Sequence, residues 1–455
     1  MSQPAPRAFR PKIHFTAPSM WLNDPNGLCY ENGKYHLYYQ HYPDDTVWGP
    51  MHWGHAVSGD LLHWEHCPIA MYPDELGMIF SGSAVIDEEN VSGFGTDGKT
   101  PMVIFYTSHG DKERQSMAYS LDGGMTFTRY PGNPILENPG INDYRDPKVF
   151  RNPVKGGFSM VVSAFDRAMI YHSTDLKHWE KTGEFGPVAE FAGERYLWEC
   201  PDLFPLKTET GEKWVFLLSV VYPENIGIHR TCYFIGQFDG DTFIREPGAP
   251  MELLDGGPDF YAGSTYWGTP QRLFIAWEAA PSYAGALPTG EYCGQMTLAR
   301  TLTLKSTPAG DKVASKPVGI EKALDGADLG GETLPGECFV LRVCGEGEGS
   351  VTLYNQEGEQ VVFGVDSSNH FYVDRSRSTV LSISETYERQ VNQYVSLPRF
   401  EQGAWQIDGV FDISSLELFG DQGTRCLTNL LFPKQPYTSC KTQGNVQVFF
   451  GDLSE

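Results

Sequence analysis

Four carboxylic acids and one serine recur along the chain at nearly even intervals. Asp24, Ser81, Asp146, Glu199 and Asp259 follow one another at steps of 57, 65, 53 and 60 residues. Each lies in a segment marked by Gly or Pro: NDPNG, FSGS, RDPK, WECPD and PDFYA. If a repeating fold gathers these places around one cavity, like charges crowd together and push at least one pKa upward. That arrangement costs stability and is common at active sites. Two carboxyl groups, one ionised and one protonated, are the minimum apparatus for cleaving a glycosidic bond. Glu199 lies between Trp198 and Cys200, an apolar setting suited to a general acid. Asp24 lies among Asn23, Asn26 and turn N–H groups able to hold a carboxylate ionised as a nucleophile. Arg145 precedes Asp146, and neighbours on a strand point to opposite faces, so Arg145 is free to reach a ligand or a neighbouring repeat. Trp48, Phe80, Tyr261 and Trp277 lie close by in sequence, and flat rings suit the apolar faces of sugars.

The elements that must position these groups read as strands. Segments such as Lys34–Gln40, Met102–Thr107, Phe158–Ser163, Trp214–Ser219 and Arg272–Trp277 are short, rich in β-branched and aromatic residues, and bounded by Gly, Pro or Asp. Long amphipathic helices are missing. A second series runs in step with the first: Ser58-x-Asp60, Ser120-x-Asp122 and Ser173-x-Asp175, each followed by Trp or Phe, with a poorer copy at Asp239. Two interleaved series of one period mark a repeated β unit at two depths. The reading is an all-β chain: a five-bladed β-propeller over residues 1–305, a linker over 306–330 with a short helical piece near Gly319–Leu324, and a C-terminal β-sandwich over 331–455. Two domains also suit 455 residues, since single cores stop growing near 250–300.

Charge narrows the partners. With 34 basic against 58 acidic side chains the net charge is −24, which disfavours nucleic acid and anionic membrane surfaces. No apolar run approaches the roughly 20 residues of a spanning helix. The opening MSQPAPRAFRPKIHF lacks the apolar stretch of a secretory signal, and nine scattered cysteines contain no CxxC pair. A reduced, cytoplasmic protein is the expectation. His52-x-x-His55 and His63-x-x-His66 have ligand-like spacing but no third partner nearby, so no metal site is assigned.

These segments resemble the signatures of glycoside hydrolase family 32, the invertases, sucrose hydrolases, inulinases and levanases. The likeness rests on WLNDPNG at Trp21–Gly27, FSGS at Phe80–Ser83, YRDPKV at Tyr144–Val149, WECPD at Trp198–Asp202 and DFYA at Asp259–Ala262. Gln40, Trp48–Gly49 and Trp53–Ala56 add to it, and bacterial intracellular sucrose hydrolases are the nearest likeness. The resemblance implies that Asp24 is the nucleophile, Glu199 the general acid/base and Asp146 the stabiliser of the transition state. It implies that Asn23, Gln40, Trp48, Ser81 and Arg145 line the fructose pocket, with Phe80, Asp259, Tyr261 and Trp277 nearby. No metal or organic cofactor is implied. The expected activity is a retaining β-fructofuranosidase on sucrose and short fructo-oligosaccharides. The alternatives are a sucrose-6-phosphate hydrolase, an exo-acting fructan hydrolase or fructosyltransferase, and, from another class, a fructoside-binding lectin. Lys112, Arg114, Lys148 and Arg167 are the candidate phosphate contacts of the first alternative. The expected partner is a small carbohydrate, and nothing in the pattern specifies an assembly. Two departures from the family, Ala276-Trp277-Glu278 and Gly263-Ser264, are expected on the leaving-group side of the pocket.

Overall fold

The computed structural model describes residues 8–191, 196–208, 211–222 and 229–453. Five sheets follow one another in sequence, antiparallel except where Tyr292–Cys293 joins the first in parallel beside Met20–Glu31. The innermost strands are Met20–Glu31, Met78–Ile86, Tyr144–Arg151, Leu197–Thr208 and Tyr261–Thr265. Each opens a blade of the expected propeller. Both faces of a blade are covered by the next, so strands such as Met102–His109 and Phe158–Ala164 are buried almost throughout and read as continuous apolar runs. The core is accordingly a set of wedges between blades. Val103, Phe105, Val149 and Met160 fill the wedge between blades 2 and 3, and Val161, Leu203, Phe216 and Phe234 the one between blades 3 and 4. Truncating a fully buried ring such as Phe105 to Ala is worth about 3–5 kcal/mol.

The Ser-x-Asp series marks the turn from third to fourth strand. Ser58 Oγ accepts the N–H of Asp60 and Leu61, while Asp60 Oδ1 accepts those of Leu62 and His63. Ser173 and Asp175 repeat this arrangement. The side chains satisfy turn amides that have no strand partner.

The first series, of four acids and a serine, marks a bulge. In every blade the innermost strand slips against its neighbour near its start, between Leu22 and Pro25, Ile79 and Gly82, Arg145 and Lys148, Glu199 and Asp202, and Tyr261 and Ser264. Two residues then stand opposite one, and the strand turns its side chains toward the axis. Pro147 and Pro201 occupy unpaired slots, where no N–H is needed. Asp146, Cys200 and Ala262 take left-handed φ values of 66°, 48° and 54°, a conformation costing about 1–3 kcal/mol each.

The propeller extends further than the sequence suggested. Gly310–Pro317, assigned to the linker, is the outermost strand of blade 5, paired along its length with Arg300–Thr307. It escapes hydropathy patterning because Lys312 and Ser315 are buried against Phe400 and Cys426 of the second domain while Val313 fills the wedge against blade 4. The helical piece is present at Glu321–Asp325. Beyond it, the long strand Cys338–Tyr354 pairs with Trp405–Asp412 through its first half and Gln360–Val365 through its second. That bend folds one continuous sheet into the two layers of a sandwich, closed on Phe339, Leu341, Val351, Phe363 and Phe411.

Candidate active site

The five bulges surround the upper mouth of the axis, and their side chains line a cavity of about 330 Å³. Asp24, Asp146 and Glu199 all face it, together with Asn23, Gln40, Trp48, Phe80, Ser81, Arg145, Tyr261 and Trp277. Eleven of the twelve residues read from the sequence are thus brought together.

Asp24 comes from the bulge of blade 1. Ser81 Oγ donates to its Oδ2 at 2.5 Å, and Asn23 Nδ2 to its Oδ1 at 3.0 Å. Trp21 Nε1 fixes Asn23 in turn at 2.7 Å. The donors are therefore side chains: Asn23, one of the amides expected of NDPNG, and Ser81 from blade 2 in place of the turn N–H groups. Burial pushes the Asp24 carboxyl above its ordinary value, against the pull of Ser81 and Asn23 and with the help of the Glu199 charge. Cys200, next to Glu199 in the chain, places its thiol 3.6 Å from Asp24 Oδ2, which shows how closely blades 1 and 4 approach.

Asp146, on blade 3, receives the Cys200 N–H at 2.8 Å on Oδ2. Its pKa is pushed up to about 7 by burial, with Arg145 opposing and Glu199 and Asp24 adding to the rise. The charge of this acid is therefore sensitive to what binds beside it.

Arg145 reaches the neighbouring blade, as strand alternation suggested. One arm donates to Glu199 Oε1 at 3.0 Å; the other donates to Glu113 Oε1 at 2.6 Å and Asp143 Oδ1 at 2.8 Å. Tyr261 OH donates to the second Glu199 oxygen at 2.5 Å. Glu199 is therefore held at both oxygens by polar partners. The apolar setting inferred from its neighbours is absent, because Trp198 turns away into the wedge against Phe185 and Phe216. Glu113 lay outside the sequence reading. It carries no motif, and only the approach of blade 2 to Arg145 reveals it.

The rim is aromatic. Trp48 is 53 % exposed at the mouth and meets Phe80 edge-on at 6.2 Å between centroids. Phe80 stacks on His109 at 4.1 Å, and Trp21 packs edge-on against Trp277 at 6.0 Å. Pro281 completes the apolar side. Gln40 spends its amide nitrogen on Asn26 and the Ile79 carbonyl, which fixes its orientation in the wall.

Asp259 is the exception. It lies two residues before the Tyr261 slot, and the two-residue offset turns it away from the axis. Its carboxylate accepts Tyr283 OH at 2.6 Å, the Leu430 N–H at 2.7 Å and the Arg375 guanidinium of the second domain. It binds the domains to each other and does not line the cavity. The two departures from the family also fall elsewhere. Glu278 is buried against Ser415 and Gln295, Ser264 bonds Lys148 on the lower side, and the Gly263 Cα lies against the Phe274 ring.

Comparison with known proteins agrees with this geometry. Residues 14–317 match the model of the glycosyl hydrolases family 32 N-terminal domain, and residues 339–451 that of the family 32 C-terminal domain. The levanase of Bacillus subtilis is 37 % identical over 93 % of this chain, which spans 66 % of that protein. The exo-inulinase structure from Aspergillus awamori superposes with a TM-score of 0.89 at 30 % identity, covering 99 % of each chain. A fructofuranosidase from Schwanniomyces occidentalis, complexed with fructosylnystose, gives 0.84 at 28 % identity over 98 % of this chain and 94 % of its own. With both family domains matched in order, and three acids converging at the mouth of a five-bladed propeller, the chain belongs to glycosyl hydrolase family 32.

Proposed function

We propose that the protein is a retaining β-fructofuranosidase that releases the terminal fructosyl unit of sucrose and of short fructo-oligosaccharides. The observation that carries this reading is the convergence of Asp24, Asp146 and Glu199 on one cavity of single-sugar size. Asp24, held by Ser81 and Asn23, attacks the anomeric carbon while Glu199 gives its proton to the departing glycosidic oxygen. The glycosidic bond breaks as the fructosyl–Asp24 ester forms. Glu199, now ionised, takes a proton from water, whose oxygen attacks the same carbon and frees Asp24. Asp146 accepts fructose hydroxyls and opposes the positive charge that develops on the ring.

The leaving group meets Trp48, Phe80, Trp277 and Pro281, a surface suited to an uncharged sugar ring. Phosphate recognition at this mouth lacks support. Lys112 and Arg114 pair with Glu137 and Asp111, Arg167 with Asp166, and Lys148 lies on the lower side with Asp202. All nine cysteines are unpaired, which supports residence in a reducing, cytoplasmic compartment. The test is to incubate the protein with sucrose, sucrose-6-phosphate, inulin and levan in parallel and identify the products. Glucose and fructose from sucrose, with fructose alone released from short oligomers, is the expected result. Absence of fructose release overturns the reading, and preference for sucrose-6-phosphate overturns the account of the rim.

A further inference from the structure

A second cavity of about 420 Å³ lies where the innermost strands of blades 3, 4 and 5 finish. Its wall includes Lys148–Arg151, Asp202–Pro205 and the turn from Thr265 to Arg272. Asp146 and Arg151 are five residues apart on one strand, so this cavity opens about 16 Å below the acids. A void of about 20 Å³ separates the two spaces, bordered by Ser81 and Asp146 above and by Lys148 below.

In a chain of net charge −24 this lower wall is basic. Lys148, Arg151 and Arg272 face it against Asp202 and Glu88. Two of the cations are engaged. Lys148 Nζ meets Asp202 at 3.1 Å, Ser264 at 2.8 Å and the Thr265 carbonyl at 2.6 Å, and Arg151 pairs with Glu89 at 3.0 Å. Arg272 is not. Among the described residues no hydrogen bond or ion pair reaches its guanidinium, and its Nε is buried without a partner. The face of Phe204 lies 5.2 Å away, and the charges of Asp202 and Glu212 act on it without a hydrogen bond or ion pair to either. Asp202 shows the complementary gap: Oδ2 accepts from Thr265 N and Oγ1 at 2.8 Å each, while Oδ1 is buried with no donor. Arg272 is half-buried, a guanidinium cannot shed its proton, and a buried N–H left without an acceptor is costly. One orphaned cation and one orphaned acceptor in the same wall call for a ligand bearing both an anionic oxygen and a hydroxyl.

We propose that the lower cavity binds a small hydroxylated oxyanion of the phosphate class, held by Arg272 and donating a hydroxyl to Asp202 Oδ1. Free hydrogen phosphate and a sugar phosphate share this chemistry. The first would donate its P–OH, the second a ring hydroxyl, and Trp267 beside the cavity offers the ring a flat wall. The full chain is titrated calorimetrically with inorganic phosphate, glucose 6-phosphate and glucose. One site per chain is expected for the phosphate probes, at least tenfold weaker in Arg272→Gln and weaker at high salt, with sucrose turnover of the variant unchanged. Tighter binding of glucose 6-phosphate than of phosphate identifies a sugar phosphate as the occupant; equal binding identifies free phosphate. Phosphate should also raise the melting temperature of the wild type and not that of Arg272→Gln, a readout independent of the catalytic site. Binding undiminished in Arg272→Gln, or no binding of either phosphate probe to the wild type at millimolar concentration, overturns the proposal.

Discussion

Two groups of buried acids lie either side of blade 5, and they behave in opposite ways. At the domain boundary, Asp412 accepts the N–H groups of Lys12, Ile13 and His14 as well as the His14 ring at 2.9 Å. Glu417 accepts His14 Nε2 at 2.9 Å, the Leu298 N–H at 2.7 Å and Arg300 Nε at 3.0 Å. Burial pushes both acids up, yet these donors win: Asp412 stays below its usual range and Glu417 is held at about 2. His14 moves the other way, its burial outweighed by Glu278, Asp412 and Glu417, so the ring is held well above its ordinary pKa. In the cavity Asp24 is half-buried and Asp146 buried, donors are few, and both acids rise. The number of donors sets the direction of the shift: Glu278, in the boundary group but with only Ser415 and Gln295 as donors, rises as the cavity acids do.

Breaking the cavity first gives the largest effect. Asp24→Ala is expected to cut sucrose turnover by about 10⁴-fold or more while the melting temperature holds, because the residue is under-bonded. Steady-state kinetics beside thermal unfolding checks both halves, and loss of the fold would erase the contrast. Next is the boundary. Asp259→Asn leaves Arg375 buried without its counter-charge, which is expected to cost about 3–5 kcal/mol with KM for sucrose unchanged; a raised KM would return Asp259 to the pocket. Asp146→Asn sharpens the comparison through pH. Because its folded pKa, about 7, exceeds the ordinary aspartate value of 3.8, the folded chain holds an extra proton between those values. Stability is therefore present below 3.8, declines as pH rises through this window and stays lower above it. The variant is expected to lose about 10²–10³-fold in kcat and to gain stability over the wild type above pH 7, measured by denaturant titration at pH 5 and 8. Smallest is Glu113→Gln, which loosens Arg145 and is expected to cost about tenfold in kcat with little change in KM.

Most of this comparison was legible as spacing, and the failures have physical causes. The five recurring residues pointed to five blades because each lies at or beside the bulge that opens an innermost strand. The count drifts, however. Asp24 and Ser81 share one slot of the bulge, Asp146 sits one residue earlier, and Glu199 immediately before that. Asp259 continued the rhythm numerically but missed the slot, which Tyr261 occupies. One residue of slip decides whether a side chain meets the axis or the core, and spacing alone does not resolve one residue. Glu113 was invisible because its role arises from a blade packed beside it. The strand Gly310–Pro317 was hidden because a domain interface buries Lys and Ser as readily as Val. The resemblance to family 32 supplied the roles; periodicity supplied only the meeting place.

The clasp formed by His14 has a consequence for the birth of the protein. Its ring joins Glu417, 403 positions away, and the carbonyl of Phe9 accepts from both Tyr292 and Ser414. During synthesis this early segment must wait for about 400 further residues before its partners exist. At 5–20 residues per second the delay is about 20–80 seconds, during which the carboxylates that will greet it have not been made. Locking of this segment is therefore a late event, and the nascent ring spends that interval unfastened.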